Sequence, residues 1–148
     1  MATSPRSRRT RVVSALAAVL LAVLLAGCLS PGQDSVHREM NADRSAYKLR
    51  SLPTHDALNR KAQAWAEYLA RRGSLVHSTL SSGLPSCWRG VGENVGYGPS
   101  VPSVQDAYMN SAGHRKNVLG TSWDYVGVGM AKSGNRVYTV QVFMSGCT

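Results

Sequence analysis

A chain of 148 residues with 43% hydrophobic and 17% charged content is long enough for one globular domain and too apolar to be disordered. Its formal charge of +9 shrinks when the amino terminus is set aside: four of the 17 basic residues, Arg6, Arg8, Arg9 and Arg11, lie in the first 27, and the remainder carries a net +5. That excess suits an anionic surface such as phospholipid headgroups or cell-wall polymer, and it is too small to point to nucleic acid.

Arg6 to Arg11 form a basic n-region, and Val12 to Ala26 then run apolar. The run makes about four helical turns, short of the ~20 residues of a spanning helix. Residues 1–27 therefore read as a signal peptide and the chain as exported. Ser7-Arg8-Arg9 before Val12-Val13 also resembles a twin-arginine signal, which leaves the export route open. The stretch closes with Leu25-Ala26-Gly27-Cys28, which resembles the bacterial lipobox. There the cysteine thiolate receives a diacylglycerol and the chain is cut just before it. An ordinary secretory cut wants a small residue where Leu25 stands, and a conventional signal peptide with a stray cysteine is the alternative. Two or three acyl chains anchor a protein stably where one is marginal. Residues 28–34 read as a lipidated tether and 35–148 as the domain.

Ser35 to Leu49 reads as a first helix capped by Asp34 or Ser35 and ended near Leu52-Pro53. Asp56 to Arg72 carries the clearest helical period, with Leu58, Ala62, Trp65 and Leu69 on one face. Thr54 is its expected cap, and Arg71, Arg72 and Gly73 suit its end. Ser78 to Gly90 is a loop, and Val91 to Tyr97 a short strand. A third helix spans Ser103 to Met109 with Ser103 as cap, and His114 to Leu119 adds a turn. Tyr125 to Ala131 and Arg136 to Met144 read as strands around the turn Ser133-Gly134-Asn135. The order predicts an α+β domain with helices on an antiparallel sheet.

Gly90, Gly92, Gly96 and Gly98 lack the Gly-Lys-Ser/Thr that would make them a phosphate loop, so nucleotide binding is set aside. With Cys28 assigned to lipid, Cys87 and Cys147 remain, a pair expected to bridge outside the cytoplasm. His77 and His114 have no metal-site spacing by themselves, and a lone histidine is more often structural than a ligand.

Three segments change that view: Leu75-Val76-His77-Ser78, Gly92-Glu93-Asn94-Val95, and Tyr108 through Leu119 with Gly113-His114-Arg115 inside it. With Asn41 and Arg44 upstream and Val126-Gly127-Val128-Gly129 and Gln141-Val142-Phe143 downstream, the pattern resembles the CAP superfamily. That superfamily comprises cysteine-rich secretory proteins, antigen 5 and pathogenesis-related 1 proteins, and the likeness is to its bacterial SCP-like branch. The resemblance runs from about Val36 to Phe143. It implies an α-β-α sandwich with a central cleft lined by two histidines and two acids, where the histidines can hold a divalent metal, often zinc. His77, Glu93 and His114 match three of those positions. Ser111 falls where a second glutamate stands in animal and plant members, Tyr108 where a tryptophan is usual, and Ala112 where a proline is common.

At such a site Glu93 is a metal ligand, the orienter of a histidine tautomer, or the general base of a metal-bound water. Ser78 and Ser111 lie beside candidate histidines without a nucleophile precedent. Asn94 and Asn117 read as structural, and Asn41 and Arg44 as braces of the first helix. Three functional readings follow. The first is a membrane-anchored extracellular monomer whose cleft binds a lipid, glycan or protein ligand without turnover. The second is a metal-assisted, peptidase-like hydrolase of envelope or extracellular material, and the third a structural envelope protein with an inert cleft.

Overall fold

The computed structural model describes residues 28–147; the expected signal peptide lies outside them. In chain order the elements are α1 (Pro31–Ala46), α2 (Asp56–Arg72), β1 (Trp88–Gly98), α3 (Val101–Met109), α4 (Ala112–Val118), β2 (Tyr125–Ser133) and β3 (Arg136–Gly146). The strands make one antiparallel sheet in the order β1-β3-β2. One layer of helix covers each face, so the expected α-β-α sandwich is the architecture found.

Central β3 shows how two cores arise from one strand. Successive side chains alternate between faces. Tyr138, Val140, Val142 and Met144 join Leu58, Ala62, Ala66 and Leu69 of α2. Val137 and Phe143 join Val36 and Met40 of α1, Val104 and Tyr108 of α3, and Val118 of α4. On the α2 side, Gly127 and Gly129 of β2 let the helix backbone rest directly on the strand. A Cβ at Gly127 would lie 2.2 Å from the Leu58 carbonyl carbon, and one at Gly129 would lie 2.2 Å from the Ala62 carbonyl oxygen. Asn59 and Gln63 complete that seam by bonding the β2 backbone at Val128 and Met130.

The helix boundaries differ from expectation for local reasons. α1 begins at Pro31, not Ser35, because Ser30 and Gln33 form a reciprocal capping box and proline suits the first helical position. Residues 31–34 are thus helix rather than tether, and Leu29 packs against the core. His55, not Thr54, caps α2, its ring accepting from the Ala57 N–H; Thr54 instead bridges to Val126. Ser100 rather than Ser103 caps α3. The strands run further than expected, β1 beginning at Trp88.

The Cys87–Cys147 disulfide is present, joining the entry to β1 with the end of β3. The roles of Asn41 and Arg44 also hold. Asn41 exchanges hydrogen bonds with the Leu52 backbone. Arg44 is buried without a carboxylate and donates to the carbonyls of Arg50, Val118 and Gly120, tying α1 to the end of α4.

Candidate functional site

The site is built around the edge strand β1. Glu93 pairs in register with Val142 and Asn94 with Gln141. Consecutive strand residues face opposite ways, so Glu93 points to the α2 side and Asn94 to the side of α3 and α4.

On the α2 side, the Glu93 carboxylate is almost wholly enclosed, its side chain 1% exposed. One oxygen accepts from His77 Nδ1 at 2.8 Å and from the Ser78 backbone N–H at 2.9 Å. The other accepts from the Ser78 hydroxyl at 2.5 Å. An ionised carboxylate can only accept. His77 therefore carries its proton on Nδ1 and turns Nε2 outward, on a side chain 58% exposed. The carboxylate fixes both the ring and its tautomer.

The opposite side is held by a chain of amides. Asn117 of α4 donates to Asn94 Oδ1 at 2.9 Å, and Asn94 Nδ2 donates to Gln141 Oε1 at 3.1 Å. Gln141 Nε2 donates to Gln105 Oε1 at 2.7 Å, and Gln105 Nε2 to the Asp43 carboxylate at 2.7 Å. Because Asp43 can only accept, it sets the direction of every amide behind it. Asn94 also donates to the His114 carbonyl at 3.1 Å, fixing the backbone of α4 where that histidine stands. His114 Nδ1 meets the Ser111 hydroxyl at 2.9 Å. Ser111 occupies the N-cap position of α4 without bonding a helix N–H. Among the described residues no buried side-chain nitrogen or oxygen lacks a partner.

The two halves meet around the edge of β1. Burial lowers the pKa of His114, and His77, when it is itself protonated, lowers it further. Burial also lowers that of Lys61, against the opposing pull of Glu93; its ammonium donates to the Thr79 carbonyl at 2.8 Å. Beside His77 and Ser78 lies a cavity of about 510 Å3, walled by Lys61, Trp65, Tyr68 and Gly83.

His77 and Glu93 are thus in direct contact, and His114 is close enough to sense His77. Glu93 does not bond His114; its link to α4 is its own carbonyl, which accepts from Asn117 at 3.3 Å. As to metal, the two Nε2 atoms are the donors left open, since three hydrogen bonds occupy the Glu93 carboxylate. Among the described residues no three His, Cys, Asp or Glu side chains group as ligands. Structural and catalytic zinc sites commonly draw three or four donors from the protein, and this arrangement offers two imidazoles.

Sequence reasoning passed over Ser78 as a carboxylate clamp, and over Gln105, Gln141 and Asp43. The available signal was a pair of glutamines set among apolar residues of a buried strand and a helix. It also passed over Tyr68 and Trp65 as cavity walls, Trp65 because its helical spacing reads as core.

The family described as CAP, the cysteine-rich secretory protein family, matches residues 37–144. YkwD of Bacillus subtilis, an uncharacterised protein, is 31% identical over 110 residues, which make 68% of this chain and 42% of that one. This chain therefore spans less than half the length of that relative. Among solved structures, an outer surface protein of Borrelia burgdorferi superposes with a TM-score of 0.66 at 20% identity, over 75% of this chain and 90% of that one. An extracellular SCP-domain protein of Bacillus anthracis superposes with a TM-score of 0.64 at 22% identity, over 80% and 45%. These two likenesses are of fold.

Proposed function

Since the chain belongs to the CAP family, whose members include secreted and surface proteins, we propose that it is an extracytoplasmic binding module, anchored by lipid at Cys28, whose cleft takes a ligand without turnover. The observation that carries this reading is the state of Glu93. A general base needs a lone pair that faces the reacting proton. The Glu93 carboxylate is enclosed and engaged by three donors, so it holds the His77 loop in place. What remains for a ligand is the outward Nε2 of His77, the His114 imidazole, and the cavity of Trp65, Tyr68 and Lys61. These suit a ligand with hydrogen-bonding groups at one end and an apolar body at the other. A divalent ion here would have two imidazoles from the protein and would take its other donors from water or the ligand.

One feature favours hydrolysis as the second reading. Glu93 orients His77 as a carboxylate orients a catalytic imidazole, with Nε2 open. The two readings separate in one experiment. Isotope-labelled protein is mixed in turn with peptidoglycan fragments and a mixed peptide substrate, following amide shifts by NMR and products by mass spectrometry. Shifts at His77, Trp65 and His114 with no product are expected. Product that disappears in His77→Ala would overturn the reading in favour of a hydrolase. Mass spectrometry of the protein from its native membrane tests the anchor, with diacylglycerol on Cys28 as the expected result.

A further inference from the structure

The cavity beside His77 opens onto a surface with which it shares Lys61, Trp65 and Tyr68. Just past α2, the chain exposes Leu75, Val76 and Leu80, at 42%, 40% and 37%. This turn is tied to the helix. The Trp65 indole N–H donates to the Val76 carbonyl at 2.9 Å. Tyr68 stacks on Trp65 with ring centroids 4.6 Å apart, and Arg72 donates to the Tyr68 hydroxyl at 3.1 Å. Three exposed aliphatic side chains, two aromatic rings with polar tips, and the cations Lys61 and Arg72 thus form one patch, with Arg71 beside Arg72 at the end of α2.

The outward stripe of α2 carries this patch toward Cys28. Arg60, Ala64, Glu67 and Arg71 are exposed at helical spacing. Ala64 borders both the His77 cavity and a second one, of about 370 Å3, lined in part by Cys28, Leu29 and Gln33. With Leu29 packed on the core and α1 starting at Pro31, acyl chains on Cys28 would have no tether to swing on. Cys28 shares that second cavity with Arg60, Gln63 and Glu67, so such chains would hold α2 beside the bilayer.

We propose that the outer stripe of α2 and the Leu75–Leu80 turn dock on an anionic phospholipid bilayer. Leu75, Val76 and Leu80 enter the headgroup layer, where apolar side chains gain from burial. Trp65 and Tyr68 sit at the boundary, as amphipathic rings do. Lys61, Arg71 and Arg72 meet the phosphates. The stripe also carries two acids, Glu67, engaged by Gln63 at 2.9 Å, and Asp56 at the start of α2, far along the helix from Arg71 and Arg72. The orientation rests on the lipid-anchor reading, whereas the docking surface does not need it.

The test uses the protein from residue 28 onward with Cys28→Ser, which retains both core clusters. It is sedimented with phosphatidylcholine vesicles with and without phosphatidylglycerol. Binding to the anionic vesicles is expected, weakening with salt. Leu75→Asp/Val76→Asp and, separately, Arg71→Glu/Arg72→Glu should each lower the partition coefficient on the order of tenfold or more. The melting temperature should hold for the Leu75/Val76 pair, whose side chains are exposed, and fall slightly for the Arg71/Arg72 pair, where cations are lost from the negative end of the α2 dipole and Arg72 from the Tyr68 hydroxyl. Failure to bind anionic vesicles, or binding by either variant as strong as that of the unsubstituted protein, would overturn the docking surface. Vesicle binding with no acyl group on native Cys28 would remove the anchor and leave docking standing. An acylated Cys28 without vesicle binding would do the reverse.

Discussion

The two faces of the sheet are assembled by different physics. The α2 face is closed by size: small residues on the helix and Gly127 and Gly129 on β2 bring backbone against backbone. The α1, α3 and α4 face carries Thr139 and Gln141 on the same strand β3, and uses them. Thr139 receives the Tyr108 phenol, and Gln141 sits midway along the amide chain from Asn117 to Asp43. Burial raises the Tyr108 pKa, against the opposing pull of the Thr139 hydrogen bond, keeping the phenol neutral. One face tolerates no added volume, and the other tolerates no missing partner. The candidate site lies at the β1 edge, where adjacent residues Glu93 and Asn94 belong one to each face.

The comparison is sharpest at Gly129. A methyl group there meets the Ala62 carbonyl oxygen and carbon at 2.2 and 2.3 Å, backbone atoms that cannot swing aside. Gly129→Ala should cost about 3 kcal/mol, at the upper end of overpacking effects, read from the urea midpoint. A loss under half that would mean the helix can lift from the strand.

On the opposite face, Gln141→Leu keeps the volume and removes the pairing. Gln105 Oε1 loses its donor and Asn94 Nδ2 keeps only the His114 carbonyl. The expected loss is about 2 kcal/mol, the cost of buried groups left unpaired, measured by the same denaturation. A neutral or stabilising result would show that water replaces the missing links and that the face does not depend on its amide chain.

Where the faces meet, Glu93→Gln should be milder, at about 1 kcal/mol. The amide oxygen can keep the donors from His77 and the Ser78 backbone, and the amide nitrogen can donate to the Ser78 hydroxyl. The His77 Nδ1 proton should remain visible by NMR. Its loss, or global unfolding, would show that the negative charge and not the geometry holds the loop.

The smallest effect is electrostatic. The pKa of His114 is lowered in the fold, by burial first and by His77 second. A depressed folded value means that the unfolded chain takes up the proton first. The stability contribution is therefore full above the ordinary imidazole value, about 6.5, and is lost as pH falls from there through the folded value. In His77→Ala, the His114 titration followed by NMR should move upward without reaching that ordinary value, because burial remains. An unmoved titration would mean the two imidazoles do not sense one another across the β1 edge.

Much of this was legible in the residues. Leu58, Ala62 and Leu69 recur at the helical period, which places α2 and its buried face whatever packs against it. Tyr125 to Ala131 and Arg136 to Met144 flank a turn, which gives the hairpin. Cys87 and Cys147 are the pair left for a bridge, and His77, Glu93 and His114 stand out once their motifs are taken together. These are local or compositional signals, and they survive without knowledge of contacts.

The helix start at Pro31 was a local signal too, a capping box from Ser30 to Gln33 overlooked among tether-like residues, and its consequence for Cys28 emerged only when Leu29 was seen against the core. Other features had no local signal. Periodicity says that Gln141 is buried, but not that Asn94 and Gln105 are its partners, since those lie 47 and 36 positions away. The same limit hid Ser78 as the clamp on Glu93 and Trp65 as the support of the Val76 turn. The sequence determines which groups must be buried or exposed, because burial follows from side-chain chemistry and period. Only the tertiary structure decides which polar groups satisfy one another, because a hydrogen bond depends on the meeting of two atoms within about 3 Å.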